Sequence, residues 1–70
     1  MDLDKYKEQL RSEILELFSQ NGVRATLRKT GLNSKIWYDI KHRNVKHAET
    51  LEKHLELVKK CLNVLPESKQ

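Results

Sequence analysis

The chain has a single cysteine, Cys61, so it cannot close an internal disulfide, and the staples common in small secreted domains are excluded. It has one proline and two glycines, too few breakers for a loop-rich or many-stranded fold. Aromatic residues make up 6% of it, and no uninterrupted apolar run exceeds three residues (Ile36 to Tyr38), far short of a membrane span. The N-terminal stretch carries Asp2 and Asp4 and no apolar core segment, unlike a secretory signal. Gly-rich phosphate loops, H-E-x-x-H, C-x-x-C and G-x-S-x-G are all missing. His54 and Cys61 stand seven residues apart, about 10 Å along a helix, too far to share one metal easily. These absences predict a non-enzymatic cytoplasmic protein with no metal, no cofactor and no membrane contact. With 70 residues, 37% of them hydrophobic and 34% charged, the chain is long enough for one small folded domain.

What is present is a lopsided charge distribution. Residues 1–22 carry three bases and five acids, a local charge of −2. Residues 48–70 carry four of each and are neutral. Residues 23–47 hold Arg24, Arg28, Lys29, Lys35, Lys41, Arg43 and Lys46 against Asp39 alone, a local charge of +6 that exceeds the whole-chain excess of +4. A basic block between neutral or acidic segments is the footprint of a polyanion-binding surface.

Apolar spacing predicts an all-α domain of four helices, at about 3–20, 23–30, 34–42 and 48–64. Leu3, Tyr6, Leu10, Ile14, Leu17 and Phe18 recur at three- and four-residue steps and make the first stripe. Leu15 falls off that stripe and is expected at the surface. Asn21-Gly22 ends the first helix and Gly31 the second, because these residues tolerate the left-handed conformation of a helix C-cap. Asn33 or Ser34 caps the third, whose inner side is Ile36, Trp37 and Ile40. Residues 43–47 lack periodicity and form a loop. The domain is expected to occupy residues 1–65, with 66–70 a frayed polar tail.

The last helix carries two apolar stripes. Ala48, Leu51, Leu55, Val58, Leu62 and Leu65 form one, and Leu57, Cys61 and Val64 the other. Together they span roughly 200°, more than one small core needs. The surplus predicts a homodimer with Leu57, Cys61, Val64 and Leu65 as interface candidates. Which stripe is core is open at this level.

Residues 23–43 carry the functional pattern. Two short helices flank Gly31-Leu32-Asn33, a helix–turn–helix arrangement at 23–42 whose tight turn uses a glycine. Leu32, Trp37 and Ile40 fall where the second helix packs inward, on the first. The outward positions are Asn33, Ser34, Lys35, Tyr38, Asp39, Lys41 and His42, all polar or amphipathic. Such side chains on a helix in a major groove reach base edges. Asp39 also has Arg43 four residues on, the spacing of a helix-surface ion pair.

Residues 23–62 resemble the lambda-repressor-like, Xre-type helix–turn–helix proteins of phages and bacteria. The resemblance lies in Gly31-Leu32-Asn33-Ser34 at the turn, in Trp37 and Ile40 at inward positions, and in the loop Arg43 to His47 leading into Glu49-Thr50-Leu51-Glu52-Lys53. It implies that Asn33, Ser34, Lys35, Tyr38, Asp39 and His42 face the groove and read bases. In that role Lys35 donates to guanine, Tyr38 meets a thymine methyl group, and Asp39 accepts from a cytosine amino group. Arg24, Arg28, Lys29, Lys41, Arg43 and Lys46 are then phosphate contacts, which set register and affinity but not sequence. The expected function is a sequence-specific double-stranded-DNA-binding transcriptional regulator of the phage or mobile-element repressor type. It would act as a nucleoid-associated homodimer. The alternatives are a protein–protein adaptor that docks a partner on the apolar last helix, and a non-specific nucleic-acid-binding architectural protein.

Overall fold

A computed structural model of the chain describes residues 2–62, and within them four helices and no strand. The expected end of the last helix at 63–64, the interface candidates Val64 and Leu65, and the tail 66–70 lie outside the described residues.

Helix α1 runs Leu3–Asn21. Asp2 caps it, its carboxylate accepting from the Asp4 N–H at 3.0 Å, and Asp4 adds negative charge where the helix dipole is positive. Gly22 (φ 86°) is the whole connection to α2, Val23–Thr30, and its positive φ permits so abrupt a reversal. At the end of α2, Gly31 turns left-handed (φ 78°) and donates its N–H to the Leu27 carbonyl. The Thr30 hydroxyl donates to the Thr26 carbonyl and accepts from the Leu32 N–H, which ties the turn to the helix before it. Asn33 then caps α3, Ser34–Lys41, accepting from the Ile36 N–H at 2.9 Å. A loop leads to α4, Ala48–Cys61, with Glu49 in its first turn and Lys59 and Lys60 in its last, each matched to the dipole.

Helix α1 is the central element and packs on each of the other three. The core comprises Leu10, Ile14 and Phe18 from α1, Ile40 from α3, and Leu51, Leu55 and Val58 from α4. The ring of Trp37 lies flat on Phe18, with centroids 4.3 Å apart and planes 18° from parallel.

The sequence expectations need correcting at several points. Leu3 is 62% exposed, so the apolar stripe of α1 is longer than the surface it packs on. Leu15 is half-buried against the core rather than at the surface, because three neighbouring helices cover a wider arc of α1 than one stripe. Helix α1 runs one residue further than expected, and α3 stops at Lys41 with His42 as its cap. Within the described residues α4 runs to Cys61, and Leu62 donates to the Val58 carbonyl. The expected packing of α3 on α2 is also revised, since each packs on α1 more than on the other. The buried residue of α2 is a threonine, Thr26, whose hydroxyl donates to the Gly22 carbonyl at 2.7 Å, while Val23 and Leu27 pack against the core from the same helix.

The two stripes of α4 separate cleanly. Leu51, Leu55 and Val58 are buried, with Ala48 and Leu62 packed beside them, so this stripe is the core one. Leu57 and Cys61 are half-buried and lie outside the core cluster.

Candidate nucleic-acid interface

Taken at 100° per residue, Ile36, Trp37 and Ile40 occupy one arc of α3 of about 100°. Ile40 is buried and the other two are half-buried. The remaining positions make up the outer surface. Asn33, Ser34, Lys35, Tyr38, Lys41 and His42 are exposed there, and Asp39 is partly so. The Asn33 carboxamide oxygen is committed to the cap, while its Nδ2 takes no partner among the described residues. Tyr38 is 57% exposed, and its ring rests on the His42 imidazole with centroids 4.2 Å apart. The Lys41 ammonium lies 5.8 Å from the Trp37 ring centroid, a cation–π arrangement that draws it toward the edge of the face.

Asp39 pairs with Lys35 at 3.1 Å, one turn before it, rather than with Arg43. The reason is backbone geometry. The helix ends at Lys41, and Arg43 takes a positive φ of 60°, so the spacing of four no longer places Arg43 above Asp39. Arg43 instead reaches α1 and donates to both Glu8 carboxylate oxygens, at 3.1 and 3.2 Å. The only acid of the basic block is therefore neutralised by its own helix.

Besides Lys35 and Lys41 on α3, the exposed cations of the basic block are Arg24, Arg28 and Lys29 on α2 and Arg43 and Lys46 in the loop. Four side chains of α1 bond the loop and the helices on either side of it. Tyr6 donates its hydroxyl to Glu52, and Lys7 donates to the Lys46 carbonyl at 2.8 Å. Glu8 holds Arg43, and Arg11 donates to the carbonyls of Ile40 and Lys41 at 2.9 and 2.7 Å. Arg11 thus caps the C-terminus of α3 from another helix, placing positive charge on the negative end of its dipole. Glu8 receives hydrogen bonds from Arg43 foremost and lies beside Arg11, which together hold its carboxyl below the usual carboxylate range against a smaller opposing effect of burial. The Tyr6 phenol is pushed up by its bond to Glu52.

Sequence reasoning counted Lys7, Glu8 and Arg11 only as charges in an acidic segment. The Glu8–Arg11 spacing of three was visible as a local pair, now seen at 2.7 Å. Nothing in the sequence indicated that both residues reach the end of α3, because that contact spans some thirty positions. Among the described residues, no three His, Cys, Asp or Glu side chains gather as a metal site, and no helix is long and apolar enough to cross a membrane.

His54 on α4 borders a shallow cleft between α3 and the loop, shared with Asp39 and Lys46 and floored by Ile36 and Val45. Desolvation there pushes the imidazole below its ordinary value. The folded state then binds its proton less readily than the unfolded chain, so stability falls as pH drops through the ordinary imidazole range. The urea midpoint of the native chain is expected to decline between about pH 7.5 and about pH 5.5, with a shallower decline for His54→Gln. An equal decline in the two proteins would assign the effect to other groups.

The architecture is that of a small all-α domain, with four helices among the described residues. No family model matches it, and neither a curated protein nor a solved structure does.

Proposed function

We propose that this chain is a sequence-specific double-stranded-DNA-binding transcriptional regulator that works as a homodimer. The observation that carries the reading is the outer face of α3. It is polar, exposed and rigidly capped at both ends, and its one carboxylate is internally neutralised. A helix of eight residues with such a face fits a major groove, which admits one helix. Asn33, Ser34, Lys35, Tyr38, Asp39 and His42 then read base edges. Arg24, Arg28, Lys29, Arg43 and Lys46, with Lys41 at the margin, contact phosphates on either side. The turn Gly31-Leu32-Asn33 and its neighbours are similar to the lambda-repressor-like proteins, which favours a repressor of the phage or mobile-element type.

The dimer reading rests on the second stripe of α4. Leu57 and Cys61 are half-buried and lie outside the core cluster, and the part of their apolar surface left exposed is offered to a second copy. In such a dimer the two α3 helices address half-sites about one helical turn apart.

Selection from a random duplex pool at about 0.15 M salt, where weak surface charge is screened, tests the proposal. Enrichment of a palindrome with that spacing is expected. Binding that disappears with salt and enriches no sequence would replace this reading with backbone-only association. An absence of binding at every salt concentration would overturn it in favour of an adaptor.

A further inference from the structure

Where α1 meets the end of α3, a cleft of roughly 350 Å³ opens, lined by Lys7, Glu8, Arg11 and Arg43 over the apolar floor of Ile40 and Leu51. The two guanidinium groups in it are held differently. The Arg11 side chain is 15% exposed and fixed by two α3 carbonyls as well as by Glu8. The Arg43 side chain is 65% exposed, and its side-chain bonds all go to Glu8. Glu8 is therefore paired on one side with a largely buried cation that has other anchors, and on the other with an exposed cation whose side chain bonds Glu8 alone.

We propose that Glu8 stands in for a nucleic-acid phosphate: it holds Arg43 in the free protein, and a backbone phosphate of the bound duplex displaces it. The inference rests on the DNA-binding reading above and adds a residue of α1 to that interface. Four features support it. Arg43 directly follows His42, the last residue of the exposed α3 face, so the sugar–phosphate rim of an occupied groove passes beside it. Its planar fork accepts a carboxylate or a phosphodiester with the same pair of N–H groups. The pair with Glu8 is solvent-exposed and hence weak, which lets a phosphate compete, while Glu8 keeps Arg11 as partner and is not left uncompensated. The left-handed backbone of Arg43 directs its side chain toward α1 in the free state, a conformation that non-glycine residues hold at some cost.

The exchange is tested by a double-mutant cycle on a selected duplex, with affinity measured by fluorescence anisotropy. Glu8→Gln is expected to bind about two- to fivefold more tightly than the native chain, the range an exposed ion pair supplies. The gain should vanish when Arg43→Gln is already present. Equal or weaker binding by Glu8→Gln, or the same gain in both backgrounds, overturns the exchange and leaves duplex binding standing. Failure of the native chain and every variant to bind any duplex overturns the DNA reading and the exchange together. A second measurement uses the native chain alone. The Arg43 side-chain N–H resonance should shift when duplex is added while that of Arg11 stays in place, and an unmoved Arg43 resonance on a bound duplex refutes the exchange.

Discussion

Replacing Phe18 by alanine is expected to leave the domain largely unfolded at about 25 °C. Phe18 is fully buried and forms the stack with Trp37 that fastens α3 to α1. Truncating such a side chain costs about 3–5 kcal/mol in lost transfer energy and residual cavity. A core in a chain of this size rarely supplies more than about 3–5 kcal/mol in total, so the loss is of the same order as the whole stability. Circular dichroism should show the helical signal collapse. Trp37 is the single tryptophan, so its emission should move to the red as the ring enters water. Phe18→Leu, which keeps most of the volume, should remain folded at a cost of about 1–2 kcal/mol. An alanine variant that melted with the native midpoint would mean that the Phe18–Trp37 contact is not central to the core.

Reversing the charge at Lys35 is expected to abolish site-selective DNA binding with little change in stability. The Lys35 side chain is 80% exposed, and its one partner is Asp39. With Lys35→Glu, the donor to base or phosphate is lost, and two carboxylates four residues apart face the phosphate backbone. A good base contact is worth about 1–3 kcal/mol, and repulsion adds to the loss, so affinity should fall at least about 10- to 100-fold. The like-charge pair costs the isolated helix only about 0.2–0.5 kcal/mol, so the melting curve should hardly move. Competition titration against the selected palindrome, paired with thermal denaturation, checks both halves. Unchanged affinity would show that α3 is not the reading element and would turn attention to the apolar side of α4.

Much of the architecture was legible because helices announce themselves locally. Periodicity placed Leu10, Ile14 and Phe18 on one face, and the breakers at Gly22 and Gly31 fell where the backbone does take positive φ. The cap of α3 was narrowed to Asn33 or Ser34, because either side chain can accept from an orphan N–H of the first turn, and it is Asn33 that accepts from Ile36. The polar outer arc of α3 follows from the same period, as does the core stripe of α4 once its neighbours are known.

What the sequence determined by itself is therefore the set of elements, the inner sides of α1 and α3, and the concentration of positive charge in residues 23–47. The tertiary structure alone decided which long side chains meet across elements. Arg43 turns from Asp39 to Glu8, Arg11 caps a helix some thirty residues away, and Trp37 finds its ring partner on α1. The core stripe of α4 was likewise chosen by what packs on it. The physical reason is one of range. Capping, periodicity and turn conformation are fixed by interactions within about four residues. Ion pairs and ring stacks between flexible side chains depend on where separate helices end and on the direction the backbone takes as it leaves them.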